Sequence, residues 1–148
     1  MIETRKITKN DLADLAEIER LCFAEPWSSE SLELLLKDGN FALCAVCDGR
    51  VAAYVGVISV APEGEITNVA THPDFRRRGL ANALLTQLKL EAAKRGIYSI
   101  YLEVRRSNTP AQMLYQKQGF AVIGERKGFY KNPKEDAILM RLTAENGA

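Results

Sequence analysis

The sequence predicts an α/β (α+β) fold, with one mixed, mostly antiparallel sheet around a central parallel strand pair, flanked by about four helices. Three observations lead there. Two apolar runs, Phe41 to Cys47 and Val51 to Val60, are separated by Asp48-Gly49, a dipeptide that favours a tight antiparallel hairpin. A strand-like segment from Glu65, an amphipathic segment from Gly79 to Arg95 and a second strand around Tyr101 follow one another, and such a unit calls for a parallel pair with a right-handed crossover. Finally, 148 residues of which 47% are hydrophobic are enough for one core, so residues 1–148 are expected to form a single domain.

Met1 to Thr8 reads as a first strand. Asn10 or Asp11 can cap a helix running to about Cys22, with Leu12, Leu15, Ile18, Glu19 and Cys22 at helical spacing. Ser28 or Ser29 can cap a second helix, which Gly39 ends. The hairpin strands come next, then the strand Glu65–Thr71, ended by His72-Pro73. In the helix Gly79–Arg95, Leu80, Leu84, Leu88 and Ala92 fall at four-residue steps, and Gly96 closes it. A strand around Tyr101, a helix from Pro110 to Gln118, and strands near Phe120–Glu125 and Ala137–Leu142 complete the order βααβββαβαββ.

Twenty basic and nineteen acidic residues nearly cancel, which argues against bulk nucleic-acid or membrane binding. The longest apolar run, Val51 to Pro62, is too short to span a bilayer, and "MIETRKITKND" lacks the apolar core of a secretory signal. Cys44 and Cys47 form a C-x-x-C, but three residues apart on a strand they point to opposite faces. With one histidine, His72, and no second cysteine pair, no metal site is expected. Three unpaired cysteines fit a cytoplasmic protein.

Parallel strands joined by a crossover helix put their carboxyl ends on one sheet edge, the edge ligands favour. After the first of these strands comes "THPDFRRRGLANALL", and after the second "RRSNTPAQMLYQKQGF". Arg76-Arg77-Arg78-Gly79 leads straight into a helix, whose free N–H groups and macrodipole suit an anion; a solvated basic turn is the other reading. Asn108 precedes the next helix as either its cap or a ligand contact. Tyr115 sits about 7–8 Å up that helix, either buried against the sheet or beside the strand ends.

Glu103 stands inside the strand "SIYLEVR". Tyr101, Glu103 and Arg105 share one face, while Ile100, Leu102 and Val104 share the other. Glu103 is therefore a solvated or Arg105-paired side chain, or else a partly desolvated base at the mouth of a site.

Together these residues resemble the GCN5-related N-acetyltransferase family. Arg76 to Ala81 match its Gln/Arg-x-x-Gly-x-Gly/Ala signature, "ITNVATHPDFRRRG" resembles its central strand and exit, and "NTPAQMLYQKQGF" resembles its coenzyme-contacting segment. The likeness extends across nearly all of the chain. Pro26-Trp27-Ser28, Leu102 to Arg105, Ser107-Asn108 with Tyr115, and "FYKNPKEDAILM" are most similar to the branch that acetylates the N-terminal alanine of a small-subunit ribosomal protein.

The resemblance implies acetyl-CoA as cosubstrate and no metal. It implies pyrophosphate binding by Arg76, Arg77, Arg78, Gly79, Leu80, Ala81 and Asn82, further coenzyme contact at Asn108, and a backbone donor near Val69, Ala70 and Thr71. Glu103 becomes the proton acceptor and Tyr115 the donor to the leaving thiolate. Glu25, Trp27, Tyr130 and Asp136 are expected to face the acceptor, a protein N-terminus. Two alternatives stand beside this reading: the same chemistry on a lysine or a small amine, and a non-catalytic acyl-CoA-binding module.

Overall fold

The computed structural model describes residues 2–144, so Met1, the expected start of the first strand, lies outside the described residues. Strand β1 (Ile2–Lys6) leads into helix α1 (Leu12–Cys22) and the short helix α2 (Ser29–Leu32). Strands β2 (Phe41–Cys47), β3 (Arg50–Val60) and β4 (Glu63–Thr71) follow. Helix α3 (Leu80–Lys94), strand β5 (Ser99–Arg105), helix α4 (Thr109–Lys117), and strands β6 (Ala121–Lys131) and β7 (Lys134–Thr143) complete the order read from the sequence. The β2–β3 turn places Asp48 (φ 54°) and Gly49 (φ 78°) in the left-handed region, as a two-residue turn matched to strand twist requires.

The strands form one sheet in the order β1-β2-β3-β4-β5-β7-β6, and only β4 and β5 run parallel. One side is covered by α3, whose Leu80, Leu84, Leu85 and Leu88 pack on Val55, Val57, Ile100, Leu102 and Met140. Each buried leucine contributes about 1.5–3 kcal/mol of hydrophobic stabilisation. On the other side Leu15, Ile18, Leu32 and Leu35 pack on Cys44, Tyr54 and Ala70. The sheet thus separates Cys44 from Cys47 as strand alternation requires, and burial pushes the Cys44 thiol up to about 11. Among the described residues no helix is long and apolar enough to cross a membrane.

Helix α2 and strands β6 and β7 differ from the sequence reading. Ser28 caps α2 by accepting the Ser31 N–H at 3.2 Å, but the helix tightens after Leu32 into a 3₁₀ turn over Glu33–Leu36. Leu32 and Leu35 are both buried, and a spacing of three is the 3₁₀ period. Strands β6 and β7 extend beyond their expected ends because Arg126–Lys131 pairs irregularly at the sheet edge, where no apolar alternation marks it.

Two irregularities set the shape of the sheet around β4. Gly56 pairs with Asn68 but Val57 pairs with Ile66, so Thr67 is an extra residue, a β-bulge. Ile66 therefore faces α3, whereas Asn68 and Ala70 face α1. The parallel β4–β5 ladder holds only from Glu63–Ser99 to Glu65–Tyr101; past that point the strands have no shared register.

Candidate active site

The parted carboxyl halves of β4 and β5 open a cavity of about 620 Å³. Its walls are Ile66–Val69 and Leu102–Arg105, its roof is the α1–α2 loop and the β6–β7 turn, and α4 adds Asn108 and Tyr115. Topology thus brings Glu103, Tyr115, Val69 and Asn108 to one cavity.

Glu103 faces the α1 side, opposite its core-facing neighbours Leu102 and Val104. Burial raises its proton affinity, and the neighbouring Glu65 carboxyl raises it further against the opposing pull of Arg126. The Arg126 Nε lies 3.9 Å from Glu103 Oε2. Arg105, the alternative partner, is taken elsewhere: it donates to Glu135 Oε1 at 3.1 Å and to the Pro133 and Asn132 carbonyls. Glu103 therefore remains an ionisable group whose charge is only weakly compensated.

Tyr115 is 7% exposed, lines the cavity and packs edge-on against Phe120 at 5.9 Å. Burial strengthens its hold on the phenolic proton. Tyr130 enters the same cavity, 4.3 Å below the Arg105 guanidinium, and burial and the Glu103 charge push its hydroxyl up to about 12. Both tyrosines are thus neutral donors at physiological pH.

Glu19 belongs to the site although the sequence marked it only by helical spacing. It is 1% exposed and accepts from the Tyr54 hydroxyl at 2.6 Å, the Trp27 N–H at 2.8 Å and the Asn68 amide at 3.2 Å. One carboxylate thereby ties α1 to β3, to the bulged part of β4 and to the α1–α2 loop. Asn68 turns towards it because of the Thr67 bulge, a signal no local pattern carries. The other Asn68 amide atom, Oδ1, is buried without a hydrogen-bond donor among the described residues.

The expected anion site is a separate turn. Arg77 (φ 66°) and Gly79 (φ 76°) are both left-handed, and a Cβ at Gly79 would project into open space. Gly79 caps α3 without a side chain, and the first helical bond runs from the Ala83 N–H to the Gly79 carbonyl. The N–H groups of Leu80, Ala81 and Asn82 therefore lack helical partners. Leu80 offers only its backbone, since its side chain is core. Arg78 stacks 5.0 Å over Phe75 and lies 3.5 Å from Asp48; Arg76 reaches towards Cys22 Sγ at 3.7 Å. These features fit a polyanion, the pyrophosphate of acetyl-CoA being one. Asn82 meets α4 at its far end, accepting from Gln118 Nε2 at 2.6 Å, whereas Asn108 caps its start.

Asn108 is both a cap and a cavity residue: its Oδ1 accepts the Ala111 N–H at 3.2 Å while the side chain lines the opening. Ala70 is buried beneath α1, and neither it nor Thr71, whose carbonyl accepts the Cys22 thiol at 3.2 Å, is part of the cavity lining. Among the expected acceptor contacts, Glu25, Trp27 and Tyr130 line the cavity. Glu25 joins the two roof segments by accepting from Asn132 Nδ2 at 3.0 Å. Asp136 stands apart from that lining, because its carboxylate accepts the Gly128 N–H at 2.8 Å within the irregular part of β6.

This arrangement has counterparts among known proteins. Residues 12–120 match the model of the Acetyltransferase (GNAT) family. The chain belongs to the GNAT acetyltransferase family. As a GNAT protein it is an acetyltransferase that uses acetyl-CoA. It is 36% identical over 138 residues, covering 92% of this chain and 93% of the relative, to the ribosomal protein bS18-alanine N-acetyltransferase of Salmonella typhimurium. The crystal structure of the ribosomal-protein-S18-alanine N-acetyltransferase from Escherichia coli superposes with a TM-score of 0.92 at 33% identity, covering 99% of this chain and 97% of that one. A Bacillus anthracis acetyltransferase crystallised with acetyl coenzyme A shares the GNAT fold, at 20% identity and a TM-score of 0.81 over 98% and 99% of the two chains.

Proposed function

We propose that this GNAT protein, with residues 1–148 as one catalytic domain, transfers the acetyl group of acetyl-CoA to the N-terminal amine of a cytoplasmic protein. The acceptor we assign is the N-terminal alanine of a small-subunit ribosomal protein, as in the named relatives. One observation carries the reading: a carboxylate of raised proton affinity and a buried neutral tyrosine share a cavity at the parted ends of β4 and β5.

Acetyl-CoA supplies the acyl group as an activated thioester. The α3 turn at Arg76–Asn82 holds its phosphates, and Asn108 binds it nearer the cavity. Glu103 removes a proton from the acceptor ammonium, directly or through water. An α-amine has a pKa of about 7.7–8.0 against about 10.4 for lysine, so neutralising it near pH 7 costs about 3.4 kcal/mol less. That difference places an N-terminal amine within reach of a modestly basic carboxylate. The amine then attacks the thioester directly. N–H groups of β4 beyond its parallel ladder, near Val69, stabilise the charge on the acyl oxygen; Tyr115 protonates the departing sulfur, and the second proton lost by the attacking nitrogen restores the phenol through solvent. Glu25, Trp27 and Tyr130 border the acceptor's entry.

The test is intact-mass analysis of peptides with free and with blocked N-termini, incubated with the protein and acetyl-CoA. Acetylation confined to free N-termini supports the reading. Modification of blocked, lysine-containing peptides assigns the side-chain amine instead, and binding of acetyl-CoA with no transfer to any amine assigns a regulatory module.

A further inference from the structure

A second cavity, of about 590 Å³, lies on the same sheet face as Glu103. Glu63–Glu65 of β4 and Tyr101–Glu103 of β5 form its floor, and Leu34 and Arg126 stand at its sides. Leu102 and Glu103 border both cavities, and Leu102 is a core residue, so Glu103 is the one titratable side chain common to the two. Glu65 borders the second cavity alone. It pairs with Tyr101 in the parallel ladder, so Glu103, two residues further along β5, is its diagonal neighbour on the same face. On that shared face the Glu65 carboxyl is near enough to raise the proton affinity of Glu103. Two adjacent negative charges repel, so the Glu65 carboxyl favours proton uptake at Glu103.

The other groups around Glu103 do not displace this partner. From β6 come Arg126, 3.9 Å away, and the neutral Tyr130 hydroxyl. On β7 the residue directly opposite is Leu139. On β5 itself, Arg105 is bonded to Glu135, and Tyr101 donates to Glu63 at 3.1 Å.

Building on Glu103 as the base, we propose that Glu65 completes it: the proton taken in the first cavity passes to Glu65 and leaves through the second. The ammonium N–H bond breaks as an O–H bond forms on Glu103. That bond breaks in turn as one forms on Glu65, which releases the proton to water, so both carboxyls return to their starting state. Separate entry and exit let the proton depart while the acceptor still fills the first cavity.

Glu65→Gln and Glu65→Asp, compared with the wild type and Glu103→Gln, test this by carboxyl ¹³C NMR titration of the acetyl-CoA-bound protein and by the pH profile of kcat. Glu65→Gln is expected to lower the Glu103 titration midpoint by about one unit or more and to move the acid limb of kcat the same way. Turnover at neutral pH is expected to fall about tenfold, as a weaker base with no relay dictates. Glu65→Asp keeps the charge and is expected to retain the wild-type midpoint and most of the turnover. A midpoint and acid limb unmoved by Glu65→Gln overturn the proposal. So does full turnover in Glu103→Gln, which removes the base reading itself and is distinguished by leaving the Glu65 result irrelevant to rate.

Discussion

Arg105 is bonded to Glu135, not to Glu103, although Glu103 is its nearest same-face neighbour on β5. Glu135 also accepts the Ser107 N–H at 2.6 Å, and these bonds hold its carboxyl below the usual range. The guanidinium that would have pinned Glu103 as an ordinary ion pair is thus spent on the strand exit and the β6–β7 turn. Glu103 is left with Glu65 and a distant Arg126, conditions that favour proton uptake.

Glu103→Gln is expected to lower kcat about 10²-fold or more at neutral pH while acetyl-CoA affinity stays within twofold. The deficit is expected to narrow above about pH 8, where the acceptor α-amine is already neutral. In the wild type, activity is expected to fall as pH drops through the raised Glu103 pKa. A deficit that is constant with pH removes Glu103 from the proton-transfer step; steady-state kinetics between pH 6 and 9 decides it.

Tyr115→Phe keeps the edge contact with Phe120 and removes only the hydroxyl. Turnover is expected to fall by up to about 10²-fold, because a thiolate of pKa about 8.5 leaves with modest help. KM for acetyl-CoA is expected to be nearly unchanged. Equal losses in kcat and in acetyl-CoA affinity assign Tyr115 to binding.

Glu19→Ala leaves the Tyr54 hydroxyl, the Trp27 N–H and the Asn68 amide without their acceptor. A loss of about 2–4 kcal/mol in urea unfolding is expected, with about 1 kcal/mol for Tyr54→Phe, which removes one donor only. Because Trp27 borders the cavity, Tyr54→Phe is also expected to raise KM for the acceptor peptide more than KM for acetyl-CoA.

The fold was largely legible because hydrophobic period, the Asp48-Gly49 turn and the capping serine are local signals. The site was legible only where chemistry sat in a contiguous segment. Arg76–Asn82 and Asn108 announce themselves by their place before a helix. Glu19 could not, since a carboxylate on a helix reads as surface until a distant tyrosine and a bulge-turned asparagine are found around it. Asp136 shows the converse: its charge suggests an ammonium partner, while an irregular strand pairing, which no local pattern marks, gives its carboxylate a backbone N–H. The extra length of β6 and β7 was invisible for the same reason, since edge strands need no apolar alternation.

Asp11 accepts two bonds from Arg5, at 2.8 and 3.0 Å, and the Thr8 N–H at 2.7 Å. The Arg5 bonds hold its carboxyl below the usual Asp range. Because the folded pKa is lowered, the stabilisation is fully present above the unfolded value of about 3.9 and is lost as pH falls through the folded pKa. Asp11→Asn is expected to cost about 1–2 kcal/mol at pH 7 and to differ little from the wild type near pH 2. Urea unfolding at the two pH values measures the difference.

Gly79→Ala places a side chain on a left-handed residue and projects its Cβ into the open space before α3. Stability is expected to drop by about 1 kcal/mol. KM for acetyl-CoA is expected to rise about tenfold while the acceptor KM holds, as bisubstrate kinetics will read.

The bulge at Thr67 gives β4 two parities, one on each side of a single surplus residue. Excising that residue would join Ile66 directly to Asn68 in plain alternation and leave Asn68, Val69 and Ala70 on the faces they now occupy. A lineage could therefore shorten β4 by one residue at this point and keep both layers, whereas a single loss in the regular ladder beyond the bulge would reverse every face after it.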